Sequence, residues 1–387
     1  MTDRPVAAPE TAFSLLDDPL MRLARALRLV PSEGFHAGRR ALLVASISWL
    51  PIAAWAAAGG RLAELIWSDG VVRHVELHVR CLFALPLLVF TEPIADRVIG
   101  AIVTNFPASG LIRTTDRSAF DAVIASARRL RDSKLVWGLL AAVVVLATWL
   151  GTRLPLNAEL AGTTSGGFGM AWSTFVVRPL FLLMLLSWLW RLLLTWILFV
   201  RIARLDLQLV PSHPDRVGGL GFVQLQPAAF SLVVLTISGM VCAAVAQQML
   251  EEHMRLEQFQ GPLIALVVLL VVLALCPLTA FGQKLRRVRM RGRFQYGTLA
   301  GRHVRGLHER WVEGRTVEDD AILDAPEIGP AADVATLYEL ATRMRPLPIG
   351  LQPILAALLP AAAPLLPVAS LEIPLKDILT KILGMLT

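Results

Sequence analysis

Six long apolar stretches constrain the fold of this chain more than any other feature. A run of about 18 or more apolar residues predicts a membrane-spanning helix, because about 20 residues are needed to cross the hydrocarbon core of a bilayer. The chain is 55% hydrophobic and only 17% charged, whereas soluble domains carry about a quarter charged residues. We therefore predict an all-α, polytopic membrane helix bundle. The predicted spans are 41–59, a shorter one with an apolar core at 81–91, then 135–151, 172–200, 225–249 and 262–282.

A seventh apolar stretch, 350–371, carries no charge but contains prolines that argue against a straight helix. We predict a kinked seventh span, with a re-entrant hairpin as the alternative. The segment after it spaces its leucines and isoleucines in a helical stripe over 375–386. This amphipathic C-terminal helix is expected at the membrane interface or against a neighbouring subunit.

The chain divides into four predicted regions. Residues 1–40 form an N-terminal segment whose stretch 13–30 predicts a basic amphipathic helix, either on the membrane surface or packed on the protein. Residues 41–282 form the six-span domain, and 283–345 form a polar, arginine-rich helical region. Residues 346–387 contain the proline-rich apolar segment and the amphipathic end.

The distribution of basic residues predicts the orientation. Segments 1–40, 96–134, 201–224 and 283–345 hold 28 of the 37 lysines and arginines, and the alternate connections hold 5. Basic loops stay on the cytoplasmic side of a membrane. We therefore expect a cytoplasmic N-terminus and a cytoplasmic 283–345 region.

Arg191 lies near the middle of the fourth span, where an unpaired cation is costly. Ser187 and Thr195 stand four residues to either side, so the three share one helix face. Such a row is what a helix lining an anion pathway would present. The alternative is an arginine clamped to a carboxylate to tie helices together, with Glu92 as the expected partner.

The stretch "LVPSHPDRVGGLGF", 209–222, connects the fourth and fifth spans. His213 and Asp215 could both reach a metal ion. Alternatively, backbone N–H groups at Gly218 and Gly219, with Arg216 beside them, could form an anion nest. We favour a third reading, a sharp bend built from prolines, glycines and one polar side chain.

A basic cluster follows the sixth span directly. Lipid-headgroup anchoring is its favoured role, and a vestibule that attracts anions is the alternative. Nucleic-acid binding is not expected, since only two aromatic residues offer stacking surfaces. The arginines of the cluster are Arg286, Arg287, Arg289, Arg291 and Arg293.

Motifs of catalysis or of cofactor binding are absent from the sequence. It contains no GxSxG, Walker, HExxH or CxxC pattern. We expect no enzyme activity and no cofactor.

Two segments, "HVRCLFALPLLVFTEPIADR" at 78–97 and "RIARLDLQLVPSHPDRVGGLGF" at 201–222, resemble a family of uncharacterised bacterial integral membrane proteins with an HPDxxGGLGF loop. The likeness extends to the "EIPLKDILTKILG" tail. It implies a multi-pass protein of the bacterial inner membrane and implies no activity.

The combined features predict a channel or transporter, most simply for a small anion, with Arg191 in its pathway. The first alternative is a non-transporting scaffold or sensor whose basic cytoplasmic region binds a partner. The second is a membrane-embedded enzyme that uses His213 and Asp215. The expected partners are the bilayer, its anionic headgroups and further copies of the chain.

Overall fold

The chain folds into a helical bundle. The computed structural model describes residues 13–26, 37–68, 71–72, 74–153, 167–251, 254–314 and 329–372. Within these ranges the extended structure is one hairpin of two-residue strands, β1 (Trp67–Ser68) and β2 (Val71–Val72), paired antiparallel. The predicted C-terminal stripe at 375–386 lies outside the described residues.

Sixteen α-helices are present in the described ranges, joined in places by short π-helical or 3-10 turns. In chain order they are α1 (Pro19–Ala26), α2 (Ala37–Ala58), α3 (Leu62–Ile66), α4 (Val75–Val79), α5 (Leu85–Ala108), α6 (Arg117–Arg131), α7 (Lys134–Arg153), α8 (Phe168–Trp172), α9 (Arg178–Arg204), α10 (Gln226–Ala229), α11 (Ser231–Glu251), α12 (Gln260–Leu275), α13 (Gly282–Trp311), α14 (Gly329–Arg343), α15 (Leu351–Ala362) and α16 (Leu365–Ala369).

Six helical runs are long and apolar enough to cross a membrane, which confirms the predicted membrane class. They are Ala37–Ala58, Val75–Ala108, Thr114–Arg153, Phe168–Arg204, Gly221–Glu251 and Leu256–Glu309. The second run is much longer than its predicted core of 81–91, because the helix continues past the charged residues that interrupt the apolar pattern.

Two of these runs contain a π-helical turn at a proline. Arg80–Ala84 precedes α5 and Ser173–Val177 precedes α9, and Pro86 and Pro179 are the second residues of those helices. A proline cannot donate the usual helical hydrogen bond, and its ring clashes with the carbonyl four residues earlier. The wider π turn relieves both problems, so each helix continues.

The largest core lies between α5 and α9 and the segments packed on them. Three aromatic rings meet inside it: Phe281 lies 5.5 Å from Phe199 and 6.0 Å from Phe106, measured between ring centroids. By contrast, α7 exposes large apolar side chains such as Leu135, Val145 and Trp149. An exposed apolar face on a spanning helix is a lipid-facing surface, so α7 lies at the rim of the bundle.

The proline-rich segment 351–372 runs alongside α11. Gly350, just before α15, lies beside Gln224 at the start of the run that contains α11. Further along, the Ser238 hydroxyl donates to the carbonyl of Ala361 over 2.6 Å. Glu372 accepts a hydrogen bond from the backbone of Leu256, just beyond the other end of α11. The ends of the segment therefore contact opposite ends of α11.

No break separates the sixth span from the basic region that follows it. A 3-10 turn, Cys276–Phe281, leads from α12 directly into α13, which is 30 residues long. Helix α14 packs against α13, and the connection 205–220 lies against the same helix, with Ser212 hydrogen-bonded to Tyr296 over 3.0 Å. Gly292 allows this close approach, since a Cβ there would overlap the ring of Pro211.

Replacing Gly292 by alanine is expected to destabilise the protein. The added methyl group forces α13 away from Pro211, and overpacking of this kind costs about 1–3 kcal/mol. Gly301→Ala is the matched control in the same helix, because a Cβ there meets no atom within 4 Å. That change should stabilise by about 0.5–1 kcal/mol, since glycine is a poor helix former. Thermal unfolding in detergent measures both, and equal midpoints for the two variants would contradict the packing.

Candidate functional site

The buried cation of the fourth span is paired with the N-terminal segment. Arg191 donates to Oδ2 of Asp18 from both Nε, over 3.0 Å, and Nη2, over 2.7 Å. The two side chains are only 2% and 1% exposed. The guanidinium also lies 4.6 Å from the ring centroid of Trp188, a cation–π distance. Arg191 is therefore neutralised by Asp18, which binds two of its three guanidinium nitrogens.

The other carboxylate oxygen of Asp18 caps a helix. Its Oδ1 accepts a hydrogen bond from the backbone N–H of Met21 over 2.9 Å, which caps the start of α1. Pro19, the first residue of α1, needs no hydrogen-bond acceptor at this position. One carboxylate thus starts a short helix and neutralises a cation 173 residues away in the sequence.

The N-terminal segment is held in the bundle by apolar burial as well. Phe13, Leu15, Leu16 and Met21 are almost fully buried and belong to the main core. Of the two positions left open by the sequence, residues 13–21 therefore take the second, packing on the protein. A pattern of leucines and arginines cannot distinguish lipid from protein as the apolar partner.

Polar contacts surround the ion pair on the same side of the bundle. Asp96 of α5 accepts hydrogen bonds from the hydroxyl of Ser14 over 2.8 Å and from the backbone of Leu15 over 3.1 Å. Arg131, at the end of α6, donates to the carbonyl of Ser14 over 2.6 Å. The exposed Arg22 reaches Asp132 over 2.7 Å, and this hydrogen bond raises the pKa of Arg22 above its usual value.

Glu92 pairs with a different arginine from the one expected. Both of its oxygens accept from Arg40, near the start of α2. The direct ion pair of Arg191 is with Asp18 and not with Glu92, although Glu92 lies close enough to interact with the charge of Arg191. We call the set Asp18, Arg40, Glu92, Asp96, Arg131 and Arg191 the charged layer.

Ser187 and Thr195 share the helix with Arg191, as predicted, but their hydroxyls point to backbone carbonyls. Ser187 donates to Met184 over 2.7 Å, and Thr195 donates to Arg191 over 2.9 Å. Both side chains are buried. The row contributes no free hydrogen-bond donor to a solute path.

The bend at 209–222 is organised around Asp215. Its Oδ1 accepts from the backbone of Val217 over 2.9 Å and of Gly219 over 3.1 Å, and its Oδ2 accepts from Gly221 over 2.8 Å. Gly218 and Gly219 have φ of +71° and +98°, and Arg216 also has positive φ. Of the two backbone N–H groups proposed as an anion nest, that of Gly219 thus binds the chain's own carboxylate.

His213 stands beside this carboxylate, with Nδ1 2.9 Å from Oδ1 of Asp215. No third side chain joins them: the described residues contain no group of three or more histidine, cysteine, aspartate or glutamate side chains placed to hold a metal ion. The arrangement fits a bend and does not present Asp215 as a free base for catalysis.

The basic cluster does not form one vestibule. Arg287 and Arg291 line a groove of about 630 Å³ between α13 and the end of α9, together with Arg204 and Lys284. Arg286 and Arg293 are exposed on the other flank of α13, and Arg289 between the flanks is half-buried. The helical spacing separates the two sets, because residues seven apart share a face and neighbours do not.

Asp18 is the residue that sequence reasoning missed. The signal was present in "SLLDDPL", where Asp18 stands between leucines and directly before Pro19. An aspartate before a helix-starting proline predicts an N-cap. Its apolar neighbours indicate burial, and a buried carboxylate needs a cation.

No family model, no curated protein and no solved structure matches this chain in comparisons with known proteins. The resemblance of the HPDxxGGLGF loop to a bacterial membrane protein family stays a prediction.

Removal of one partner of the central pair is expected to be severe. Asp18→Asn leaves the buried Arg191 without its counter-charge, which costs about 3–5 kcal/mol. The N-terminal segment should then become sensitive to protease, and the thermal midpoint in detergent should fall. The double variant Asp18→Leu with Arg191→Met removes both charges and should recover much of this loss. If Asp18→Asn melts like the wild type, the pair is not buried as described.

Replacing Asp215 by alanine tests the reading of the bend. Three backbone N–H groups lose their charged acceptor, and a hydrogen bond to a charged group contributes about 1.5–3 kcal/mol. We expect Asp215→Ala to have a lower thermal midpoint than the wild type. We also expect that divalent cations leave the thermal midpoint of the wild type unchanged. A rise of several degrees on adding zinc or manganese, lost in Asp215→Ala, would instead indicate a metal site.

Proposed function

We propose that this protein is a non-transporting scaffold or sensor of the bacterial inner membrane, whose basic cytoplasmic helix binds an acidic partner protein. The observation that carries the proposal is the closed pair of Asp18 and Arg191. The cation that would attract an anion within the membrane is already paired with a carboxylate, which binds two of its three guanidinium nitrogens.

An anion that used Arg191 as a binding site would have to displace Asp18. Breaking a buried ion pair by removing one partner costs about 3–5 kcal/mol, and a permeating ion would meet this cost at each passage. Ser187 and Thr195 offer no compensation, because their hydroxyls are bonded to backbone carbonyls. The arrangement therefore supports a structural role for Arg191 better than a conducting one.

The orientation follows from the charges. The proposed cytoplasmic side carries the charged layer, the bend at 209–222 and helices α13 and α14. On this reading the segment 351–372 is a seventh span, since its ends contact opposite ends of α11. Self-association, expected from the sequence, also stays a proposal.

The outer face of α13 suits a protein partner. Arg286, Met290, Arg293 and Val304 recur at spacings that place them on one side of the helix, and all are exposed, Val304 by 61%. Arginine and methionine are enriched in protein interfaces. No acidic residue occurs between 282 and 308, so charge complementarity favours an acidic surface on the partner.

Site-specific cross-linking in living cells tests the proposal. A photoreactive amino acid at Val304, which is exposed on the same side of α13 as Arg286 and Arg293, should yield one discrete protein adduct. Arg286→Gln with Arg293→Gln should abolish it by removing the charges that attract the partner. Arg287→Gln with Arg291→Gln is the control with the same change of charge on the other flank, and it should retain the adduct.

Anion flux in liposomes provides a second test, which could contradict the proposal. Purified wild-type protein in liposomes should show no anion flux above that of empty liposomes. Selective flux that disappears in Arg191→Ala would contradict the proposal and restore the channel hypothesis.

A further inference from the structure

We propose that the groove between α9 and α13 binds the headgroup phosphate of one anionic phospholipid. The inference rests on the proposed function only in placing this end of the bundle at the cytoplasmic membrane surface. It does not depend on a protein partner, whose proposed site is the other flank of α13.

The groove is divided into an apolar and a cationic half. Trp196, Val200 and Ala203 of α9 face Ala280 across its apolar part. The cationic part is lined by Arg204, Lys284, Arg287 and Arg291, and no acidic side chain lines the groove. An occupant with both an apolar and an anionic portion matches this division.

Three of the four cations are available to a ligand. Among the described residues, Arg204, Arg287 and Arg291 have no ion-pair partner, and all three are exposed. Lys284 differs, because its ammonium group donates to the carbonyl of Leu205. The nearby Asp206 lies 3.5 Å from Arg113, which offsets its charge. The groove therefore carries uncompensated positive charge, in contrast to the charged layer, whose arginines are paired.

The depth of the groove fits the membrane interface. Trp196 is five residues beyond Arg191 in α9, and Arg204 is thirteen residues beyond it, which correspond to about 8 Å and 20 Å along the axis. The ring of Trp196 is 38% exposed, and tryptophan is enriched at membrane–water interfaces. With Arg191 near mid-span and a hydrocarbon core about 30 Å thick, the groove begins at the depth of the acyl chains and continues into the headgroup region.

Arginine favours phosphate over other anions in such a setting. Its planar guanidinium donates two parallel hydrogen bonds to a phosphate, and it is less strongly hydrated than an ammonium group. Arg287 and Arg291 are four residues apart in one helix, so both can approach the same phosphate from one side. Basic pockets between membrane helices on the cytoplasmic side bind anionic headgroups in this way.

Lipid titration of the purified, detergent-solubilised full chain, monitored by native mass spectrometry, tests the site. We expect the first phosphatidylglycerol to bind at a concentration about tenfold lower than phosphatidylcholine with identical acyl chains. Arg287→Gln with Arg291→Gln should raise the half-saturating concentration of phosphatidylglycerol about tenfold and leave that of phosphatidylcholine unchanged. Arg286→Gln with Arg293→Gln should leave both unchanged.

Each remaining outcome would overturn the site. Equal losses in the two double variants would show diffuse attraction to a basic helix, and no loss in either would place the lipid elsewhere. Displacement of the lipid by soluble glycerol 3-phosphate at an equal concentration would identify a free phosphate ester as the ligand. All four arginines are exposed, so unchanged thermal midpoints are expected and confirm that the variants are folded.

The outcome is independent of the cross-linking experiment. Loss of the protein adduct follows Arg286 and Arg293, whereas loss of the lipid follows Arg287 and Arg291. Either proposal can therefore fail while the other stands.

Discussion

The ion pair between Asp18 and Arg191 is the contact on which one end of this bundle depends. An arginine in the middle of a spanning helix is tolerated only when its charge is met. Here the counter-charge comes from a loop that enters the bundle beside α5 and α9. The same carboxylate caps α1. The buried Arg191 therefore has this counter-charge only when the N-terminal segment is folded against the bundle. The charged layer around it joins α2, α5, α6 and α9 through further pairs.

This coupling gives the protein a property suited to a sensor. The N-terminal segment is held by buried apolar side chains, by the pair of Asp18 and Arg191, and by hydrogen bonds with Asp96, Arg131 and Asp132. Its docked and undocked states would therefore differ by a defined set of contacts. A partner that favours one state shifts the balance only through a difference in affinity between the two. The two flanks of the basic helix α13, for which we propose a lipid and a protein ligand, are places where such a partner could act.

The arginines of helix α13 lie on flanks of the helix that have different surroundings. The arginines at 286, 287, 289, 291 and 293 are nearly continuous in sequence. Packing of α13 against α14 and the bend at 209–222 buries one side and leaves two flanks of different surroundings. One flank meets the apolar wall of α9, and the other carries the exposed side chains of Met290 and Val304. The same residue type therefore lies in two different surroundings, for which we propose two different kinds of ligand.

The sequence by itself indicated the membrane class, the six helical runs that are long and apolar enough to cross a membrane, and the need of Arg191 for a partner, because burial of backbone and charge in lipid follows from local composition. It also favoured a bend at 209–222, since prolines and glycines restrict the backbone locally. Only the tertiary structure decided that Asp18 meets Arg191, that Glu92 meets Arg40, and that residues 13–21 enter the core. These pairings join residues far apart in the chain, and every carboxylate satisfies the electrostatic requirement equally well until packing places one of them within reach.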